Sequence, residues 1–379
     1  MISEKTIMII AGEASGDLHA SHLVRKMTEV EPQLNFFGVG GQKMEAAGVQ
    51  LIFANHEIAV TGFSEVLSKI GKIRKAYRAV RKTLRDRPPD LLILLDFPDF
   101  NLRVAKMAKK MGIPVLYYIS PQVWAWRRNR IGLIRKLVEK IMVVLPFEAS
   151  LYGEKGIFVG HPLLDIVTPS QTPGEIMDHL GIQRGSPVVT LLPGSRKNEV
   201  DKLLPVMVEA AHMIRERITD VQFVLPIAST ISKEDVTVLL EDALVPIIPV
   251  QEQAYDALSV SDFAIVASGT ATLETAILGV PMLILYRMSA LTYALARRLV
   301  RVPHIGLINM VAGKRIVPEL IQSEVTPNHI MEETLQVLEN GEYAAQISRK
   351  LREAVIKLGS PGTSARAARI AIDLLEEKG

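Results

Sequence analysis

The segment LLILLDFPDFNLRVAKMAKKMGIPVLYYI, residues 91–119, decides the fold. It begins with an uninterrupted apolar run at 91–95, continues with a helical pattern at 101–111 and ends with a second apolar run at 115–119. Short apolar runs on either side of a helix are typical of parallel strands that are buried on both faces of a sheet. The segment therefore predicts a β-α-β unit.

The same alternation runs through the whole chain. The other strand candidates are residues 6–11, 36–39, 141–144 and 157–159 in the first half, and residues 188–192, 221–225, 245–249, 263–266 and 282–285 in the second. Helical patterns, including 63–86 and 127–138, lie between them. We expect two α/β domains, each a doubly wound parallel sheet, that face a central cleft and bind ligands at the carboxyl ends of their strands.

Two breaks rich in proline and glycine indicate where the domains end. A chain of 379 residues is long enough for two domains. The stretch 161–187 contains four prolines and three glycines, and Gly-Ser-Pro-Gly occupies 359–362. We therefore expect a first domain at 1–165, a second domain at 166–362 and a final helix at about 363–379.

The composition excludes several classes of chemistry and location. The chain has no cysteine, so disulfides, thiolate catalysis and cysteine-based zinc sites are excluded. It contains no H-E-x-x-H or D-x-D metal motif, and we expect no metal and no cofactor. No signal-peptide pattern precedes the first strand, and no uncharged apolar run reaches the roughly 18 residues that span a bilayer. We expect a cytoplasmic protein that can bind to the surface of a membrane without crossing it.

Two carboxylates in the first domain are candidates for acid–base chemistry. Glu13 lies in the string GEASGD (12–17) directly after a strand, and Asp96 ends the strand at 91–95. An acidic side chain at a strand end suits the hydroxyl groups of a sugar acceptor. A carboxyl group beside apolar Phe97 and Phe100 is expected to have a raised pKa, which suits a general base.

Each of these acidic segments also has a structural interpretation. Asp96 is also explained as a loop carboxylate whose hydrogen bonds are satisfied within the protein. A helix that follows a strand needs an N-cap, and the candidates here are Asp17, Ser15, Asp99 and Asn101. The residue pattern leaves these alternatives open.

Two turns in the second domain suggest a site for a nucleotide diphosphate. Each follows a strand and opens a helix, so its N–H groups and side chains are directed at a ligand such as phosphate. A carboxylate one helical turn further on suits ribose hydroxyls. Simple turns and N-caps are the alternatives, and for Asn309, a possible substrate contact, the alternative is a turn residue. The residues concerned are Ser195, Arg196, Ser268, Gly269, Thr270, Glu274 and Asn309.

Two basic regions of the first domain, one of which contains both tryptophans of the chain, suggest a membrane surface. Basic side chains beside tryptophan suit an anionic membrane interface. The alternative is an ordinary amphipathic helix with a solvated basic face and core tryptophans. Nucleic acid is a weaker interpretation, because the formal net charge is only +3. The candidate lipid-facing residues are Phe63, Lys72, Lys75, Arg78, Trp124, Trp126, Arg127 and Arg128.

Nine longer strings are spread over nearly the whole chain. The most specific are AGEASGD at 11–17 and YISPQVWAWR at 118–127. The others are DFPDFN at 96–101, LPFE at 145–148, GHP at 160–162, LLPGSR at 191–196, ASGTATLE at 267–274, YRMS at 286–289 and LINMVAG at 307–313. Together, and in this order, they resemble the strings of the lipid-A-disaccharide synthase family.

The resemblance implies a GT-B fold and a defined reaction at the inner face of the inner membrane. UDP-2,3-diacylglucosamine would donate its sugar to 2,3-diacylglucosamine 1-phosphate (lipid X), with inversion, to form a β(1→6) disaccharide phosphate and UDP. Asp96 would be the general base and Glu13 an acceptor-side residue. The second-domain residues named above would form the UDP-sugar site, and the final helix would cross back to the first domain.

Two other classes of function remain open from the sequence. A UDP-N-acetylglucosamine 2-epimerase has the same two-domain fold, but it needs no lipid and would give the basic region no role. A non-enzymatic nucleotide-sugar or lipid-binding protein would give Asp96 no role. The sequence does not define the oligomeric state.

Overall fold

The computed structural model describes residues 5–57, 63–241, 243–289, 293 and 302–378, without the side chains of 63–69, 126 and 378. The chain divides into two compact units, of which the first is Met1–Pro162 together with Gly359–Gly379 and the second is Leu163–Leu358. The domain ends expected at 165 and 362 lie within four residues of these boundaries.

The first unit contains a seven-stranded sheet and helices on both of its faces. The strands are β1 (Thr6–Ala11), β2 (Asn35–Gly40), β3 (Gln50–Ala54), β4 (Leu91–Leu95), β5 (Val115–Tyr118), β6 (Lys140–Val143) and β7 (Gly156–Phe158). The helices are α1 (Ala14–Val30), α2 (Gln42–Ala46), α3 (Phe63–Asp86), α4 (Pro98–Lys110), α5 (Val123–Trp126), α6 (Asn129–Leu137) and α7 (Glu148–Tyr152).

The second unit contains a six-stranded sheet. The strands are β8 (Val188–Leu192), β9 (Gln222–Ile227), β10 (Ile247–Gln251), β11 (Phe263–Ala267), β12 (Met282–Tyr286) and β13 (Glu319–Ile321). The helices are α8 (Leu163–Ile166), α9 (Pro173–Leu180), α10 (Lys197–Arg217), α11 (Lys233–Leu240), α12 (Ala254–Ser259), α13 (Ala271–Ile277), α14 (Leu307–Ala312), α15 (Pro327–Leu338) and α16 (Gly341–Ile356).

Both sheets are wholly parallel and have the strand order of a Rossmann fold. The orders are β3-β2-β1-β4-β5-β6-β7 and β10-β9-β8-β11-β12-β13. In each sheet the order reverses at one point, between β1 and β4 in the first and between β8 and β11 in the second. Ligands of doubly wound folds bind at this reversal, at the carboxyl ends of the strands.

The central strands are apolar because helices cover both faces of each sheet. Every residue of β4, β8 and β11 is buried. In the first unit, α3 and α4 pack against one another on the sheet through a shared core that includes Val80, Leu84, Val104 and Ala108. The continuous apolar runs of the sequence are therefore the runs that a doubly covered parallel sheet requires.

The last helix, α17 (Thr363–Lys378), belongs to the first unit and packs against α1. Ala368 and Ala371 are fully buried there. The Lys5 ammonium donates to the carbonyl oxygen of Leu375 at 2.6 Å, and the Arg366 guanidinium donates to that of Val159 at 2.8 Å. The chain therefore returns to the unit in which it begins.

Candidate active site

Two carboxylates follow the two strands at the reversal point of the first sheet. Ala11, the last residue of β1, pairs with Leu95, the last residue of β4. Glu13 is the N-cap residue of α1, and Asp96 directly follows β4. The structure therefore places both side chains at the same carboxyl edge, where this fold binds ligands.

The backbone around Asp96 is held in an uncommon conformation. Asp96 and Phe97 have φ angles of 45° and 44°, in the left-handed region that costs non-glycine residues about 1–3 kcal/mol each. The carbonyl oxygen of Asp96 accepts hydrogen bonds from the Asn101 amide at 2.8 Å and the Tyr117 hydroxyl at 2.6 Å. Asn101 and Tyr117 are both fully buried. Residues from α4 and β5 thus fix the turn that presents Asp96.

The turn after β1 packs directly on the turn after β4. A Cβ atom at Gly12 would lie 2.4 Å from Cγ of Phe97, so only glycine fits beside this ring. The Phe97 ring in turn stacks on Phe100, with ring centroids 5.3 Å apart. The two carboxylate-bearing turns therefore form one interlocked unit.

The environment of Asp96 favours its neutral form. Burial, together with the negative charge of nearby Glu13, raises the pKa of Asp96 to about 7. The expected raised pKa is thus present, although Glu13 contributes to it as well as the apolar surroundings. A carboxyl group whose pKa lies near neutral pH can accept a proton from a substrate hydroxyl and release it again.

A further acidic residue, Glu148, lies in this region and was not recognised from the sequence. Glu148 begins α7, is 1% exposed and accepts hydrogen bonds from the Trp124 indole at 2.8 Å and the Leu145 N–H at 3.2 Å. Burial raises the pKa of Glu148 to about 7, and the charge of Asp96 adds to the shift. Its partner lies 24 residues away along the chain, so no local pattern could indicate the pair.

Trp124 is therefore a correction to the predicted lipid-facing surface. Its side chain is buried, with 8% exposure, because its indole N–H is bonded to Glu148 and its ring packs edge-on against Phe147. The core interpretation of this tryptophan is the right one. The side chains of Phe63 and Trp126 lie outside the described residues.

Two of the N-cap candidates have other structural roles. The Asp17 carboxylate accepts from the N–H groups of Gly41, Lys43 and Met44 at 2.7–3.1 Å, and so caps α2 instead of its own helix. Asp99 lies in the first turn of α4, where the N-cap residue is Phe97. The Asp99 carboxylate pairs with arginines of the segment that precedes and begins α6.

At the reversal point of the second sheet, the first predicted phosphate turn follows β8. Ser195 and Arg196 are exposed, and Arg196 is the N-cap residue of α10. The Arg196 guanidinium donates to the Glu199 carboxylate at 3.0 Å. Gly194 has a φ of +120°, and a Cβ atom there would lie 2.5 Å from Glu199, so glycine is required. Glu199, which sequence reasoning missed, thus shapes this turn.

The second predicted phosphate turn follows β11, the neighbour of β8. Thr270 is exposed and is the N-cap residue of α13, and a Cβ atom at Gly269 would meet nothing within 4 Å. The Ser268 hydroxyl donates to the carbonyl oxygen of Ile305 at 2.9 Å. The N–H groups of Thr272 and Leu273 donate to the carbonyl oxygens of Gly269 and Thr270 at 3.2 and 2.9 Å. The donors that this turn offers to an anion are therefore the N–H groups that precede Thr272.

Glu274 lies one helical turn beyond Thr270 in α13. It accepts a weak hydrogen bond from the Tyr255 hydroxyl at 3.4 Å. Burial raises the pKa of Glu274, and the bond from Tyr255 opposes this shift. The structure therefore brings six predicted second-unit residues to the ends of two adjacent strands: Ser195, Arg196, Ser268, Gly269, Thr270 and Glu274.

Asn309 is the second correction. It is fully buried in α14, and its amide is engaged entirely within the protein. Its nitrogen donates to the Val317 carbonyl and to Glu319, and its oxygen accepts from the N–H groups of Ile316 and Val317. With these four bonds at 2.7–3.2 Å the amide has no remaining capacity for substrate.

Three of the basic residues that we predict to face lipid have exposed side chains on α3. Lys72, Lys75 and Arg78 are exposed, whereas Ala76 and Val80 on the other side of the helix are buried. Arg128 is also exposed, and Arg127 is half-buried against Asp99. In the described part of the chain, no helix has the length and apolar character needed to cross a bilayer.

Two doubly wound sheets, each with polar turns at its reversal point, define an α/β enzyme of the GT-B fold class. Solved structures of this class match over the whole chain at low sequence identity, which shows the fold alone. A UDP-GlcNAc 2-epimerase from Neisseria meningitidis bound to UDP-GlcNAc has a TM-score of 0.63 at 14% identity, covering 98% of this chain and 100% of that one. The calicheamicin glycosyltransferase CalG4 has a TM-score of 0.61 at 14% identity, covering 98% and 99%.

Sequence comparison gives the family within this class. The profile of the lipid-A-disaccharide synthetase family matches residues 7–373. A lipid-A-disaccharide synthase from Geobacter metallireducens is 46% identical over 377 residues, which is 99% of this chain and 98% of that protein. The chain belongs to the lipid-A-disaccharide synthase family, as its sequence strings predicted.

Proposed function

We propose that this chain is an inverting glycosyltransferase that condenses UDP-2,3-diacylglucosamine with 2,3-diacylglucosamine 1-phosphate (lipid X). The products are the β(1→6)-linked lipid A disaccharide 1-phosphate and UDP. The observation that carries the proposal is the interlocked pair of turns in the first unit, which presents a carboxyl group with a pKa of about 7. Membership of the lipid-A-disaccharide synthase family supports this choice of sugar and lipid.

Asp96 acts as the general base in this proposal. The 6-hydroxyl of the acceptor attacks the anomeric carbon of the donor as the bond from that carbon to the UDP oxygen breaks. Asp96 takes the hydroxyl proton, and UDP leaves with the bonding electrons. Glu13 adds negative charge beside Asp96, which raises the proton affinity of the base, and it contacts the acceptor sugar.

The second unit binds the nucleotide sugar. The turns after β8 and β11 provide N–H groups, and Arg196 provides a guanidinium, for the diphosphate that becomes the leaving group. Glu274 accepts hydrogen bonds from the ribose. This division assigns the acceptor to the first unit and the donor to the second.

The enzyme works at the inner face of the inner membrane, in the cytoplasm. The support for this is the basic face of α3 with Lys72, Lys75 and Arg78, to which exposed Arg128 adds. Each basic side chain near an anionic leaflet contributes about 1 kcal/mol of attraction. Both proposed substrates carry acyl chains, so a membrane-bound enzyme meets them where they reside.

The direct test is UDP release by the purified enzyme with UDP-2,3-diacylglucosamine, measured with and without lipid X in detergent micelles. We expect UDP to appear only when lipid X is present, with one disaccharide formed for each UDP. The epimerase alternative predicts a different outcome, in which unacylated UDP-N-acetylglucosamine is interconverted with its 2-epimer and lipid X has no effect. That outcome would replace the proposed function.

A further inference from the structure

A cluster of arginines lies beside the proposed catalytic turn and has no role in the mechanism given above. Arg127 Nη1 lies 3.2 Å from both Asp99 carboxylate oxygens, and Arg130 Nη2 lies 2.5 Å from one of them. Asp99 belongs to α4, whereas Arg130 belongs to α6. The two arginines are thus held together by a carboxylate from a different helix.

Two guanidinium groups converge on the single carboxylate of Asp99, Arg127 through Nη1 and Arg130 through Nη2. Although partial burial opposes it, the two arginines hold the pKa of Asp99 below its ordinary value, so Asp99 is charged at neutral pH. Within the described residues, Nη1 of Arg130 is buried and donates no hydrogen bond. A buried donor on a charged group is costly to leave unpaired and indicates a missing anionic partner.

The cluster lies at the same edge of the sheet as Asp96. Asp99 follows Asp96 by three residues, in the first turn of the helix that Asp96 precedes. The Tyr117 hydroxyl donates to the Asp96 carbonyl, and the positive charge of Arg130 acts to lower the pKa of Tyr117, although burial raises it overall. An anion bound by the arginines would therefore lie next to the proposed base.

We propose that Arg127 and Arg130 bind the phosphate monoester of the acceptor, with Asp99 keeping both guanidinium groups in position. Planar guanidinium groups bind phosphate oxygens with two parallel hydrogen bonds, which gives orientation as well as affinity. Acceptor binding through its phosphate would place the attacking hydroxyl beside Asp96. This inference rests on the proposed function, because it requires a phosphorylated sugar acceptor.

The test compares lipid X with the same diacylglucosamine lacking its 1-phosphate. We expect wild-type kcat/KM to be about 100-fold higher with the phosphate than without it. Arg130→Gln and Arg127→Gln should each reduce this ratio by about tenfold or more, while kcat/KM for the acceptor without phosphate stays within twofold. Arg25→Gln is the matched control, because Arg25 is exposed on α1, about three turns beyond the start of that helix, and it should leave the ratio unchanged.

Two results would overturn the proposal. One is equal use of both acceptors by the wild type. The other is an equal loss with both acceptors in the arginine variants, which would give the cluster a purely structural role. Melting curves of each variant show whether it is folded. Arg127→Gln keeps the test valid if Arg130→Gln is unstable, since the Arg127 side chain is 36% exposed.

Direct binding separates this proposal from a failure of the proposed function or from lipid-headgroup binding. If no acceptor supports UDP release, the proposed function is wrong. The phosphate site can then be tested separately, by calorimetric measurement of glucosamine 1-phosphate binding. Binding that weakens tenfold or more in both variants supports the site, and equal binding refutes it. Sedimentation with phosphatidylglycerol vesicles tests the other source of phosphate. Vesicle binding lost in both variants, with an unchanged acceptor ratio, would assign the cluster to lipid headgroups and overturn the proposal.

Discussion

Asn309 illustrates at the scale of one residue how hydrogen bonds decide between function and structure. Its amide makes four bonds inside the second unit, three to Ile316 and Val317 before β13 and one to Glu319, the first residue of β13. We expect Asn309→Ala to lower the free energy of unfolding by about 2–4 kcal/mol, because it leaves buried backbone and Glu319 groups unpaired. Chemical denaturation measures this change.

The same variant tests whether Asn309 contacts substrate. At a temperature where Asn309→Ala is folded, its KM for the UDP-sugar should stay within about threefold of the wild type. Unchanged stability together with a tenfold or larger rise in KM would restore the original prediction of a substrate contact.

Residues that follow strands could be located from the sequence, and residues that act through distant partners could not. Asp96 directly follows an apolar run and Glu13 lies two residues beyond another, which places each at the carboxyl edge of a parallel sheet. Glu148 and Trp124 are 24 residues apart and meet only in the folded unit. Trp124 is buried where it contacts Glu148. Its basic sequence neighbours suggested a membrane surface because they give no sign of this contact.

At the scale of elements, the turn after β1 and the turn after β4 depend on each other. Gly12→Ala would push its Cβ into the Phe97 ring, and relief of this clash displaces the backbone of Asp96. We expect kcat/KM to fall about 100-fold, since a shift of roughly 1 Å in a catalytic group costs this much. Gly71→Ala is the control, because a Cβ atom at Gly71 meets nothing within 4 Å.

A second substitution shows whether the clash is the cause. Gly12→Ala combined with Phe97→Ala removes the ring, and we expect it to recover at least tenfold of the lost kcat/KM relative to Gly12→Ala alone. A double variant that is no better than the sum of both single changes would show that Gly12 acts in some other way.

Strands were predictable from the sequence where both of their faces are buried. β1, β4 and β8 have the expected bounds because their apolar runs are uninterrupted. β3 was missed because this edge strand is only partly buried, and β13 because its three residues begin with a glutamate. Short or half-exposed strands lack the periodicity on which the prediction depends.

At the scale of the whole molecule, the last helix stabilises the unit in which the chain begins. α17 packs on α1 and buries a set of apolar side chains: Ala367, Ala368, Ala371, Ile372, Leu374 and Leu375. Deletion of residues 359–379 should lower the melting temperature of the first unit by about 10 °C or more, because α1 loses its apolar cover. Differential scanning calorimetry resolves this change.

The second unit provides an internal control for this deletion. Its core contains no residue beyond Leu358, so its melting transition should keep its temperature. Arg369→Gln, at an exposed position of the same helix, should change neither transition. If the deletion of residues 359–379 leaves the first unit as stable as before, the packing of α17 does not contribute as described.

The fold of the whole chain limits the function to a few classes of enzyme, but it does not distinguish between them. An epimerase and a glycosyltransferase share the architecture, each at 14% identity. The family was predictable from the sequence because its strings are contiguous, and eight of the nine lie at or within two residues of the carboxyl end of a strand, whereas LINMVAG lies in α14. The cluster of Arg127 and Arg130 around Asp99 could not be predicted, because Asp99 and Arg130 lie 31 residues apart and are brought together by α4 and α6.

The central claim is that Asp96 removes a proton from the acceptor hydroxyl. The most direct test is kcat/KM for UDP release in the presence of lipid X, measured from pH 5 to 9 for the wild type and Asp96→Asn. The base must be ionised, so the wild-type rate should rise through pH of about 7 and be roughly 100-fold lower at pH 5 than at its plateau. Asp96→Asn should lose at least about 1,000-fold at pH 8. A wild-type profile that is flat across neutral pH, or an Asp96→Asn enzyme within tenfold of the wild type, would contradict the claim.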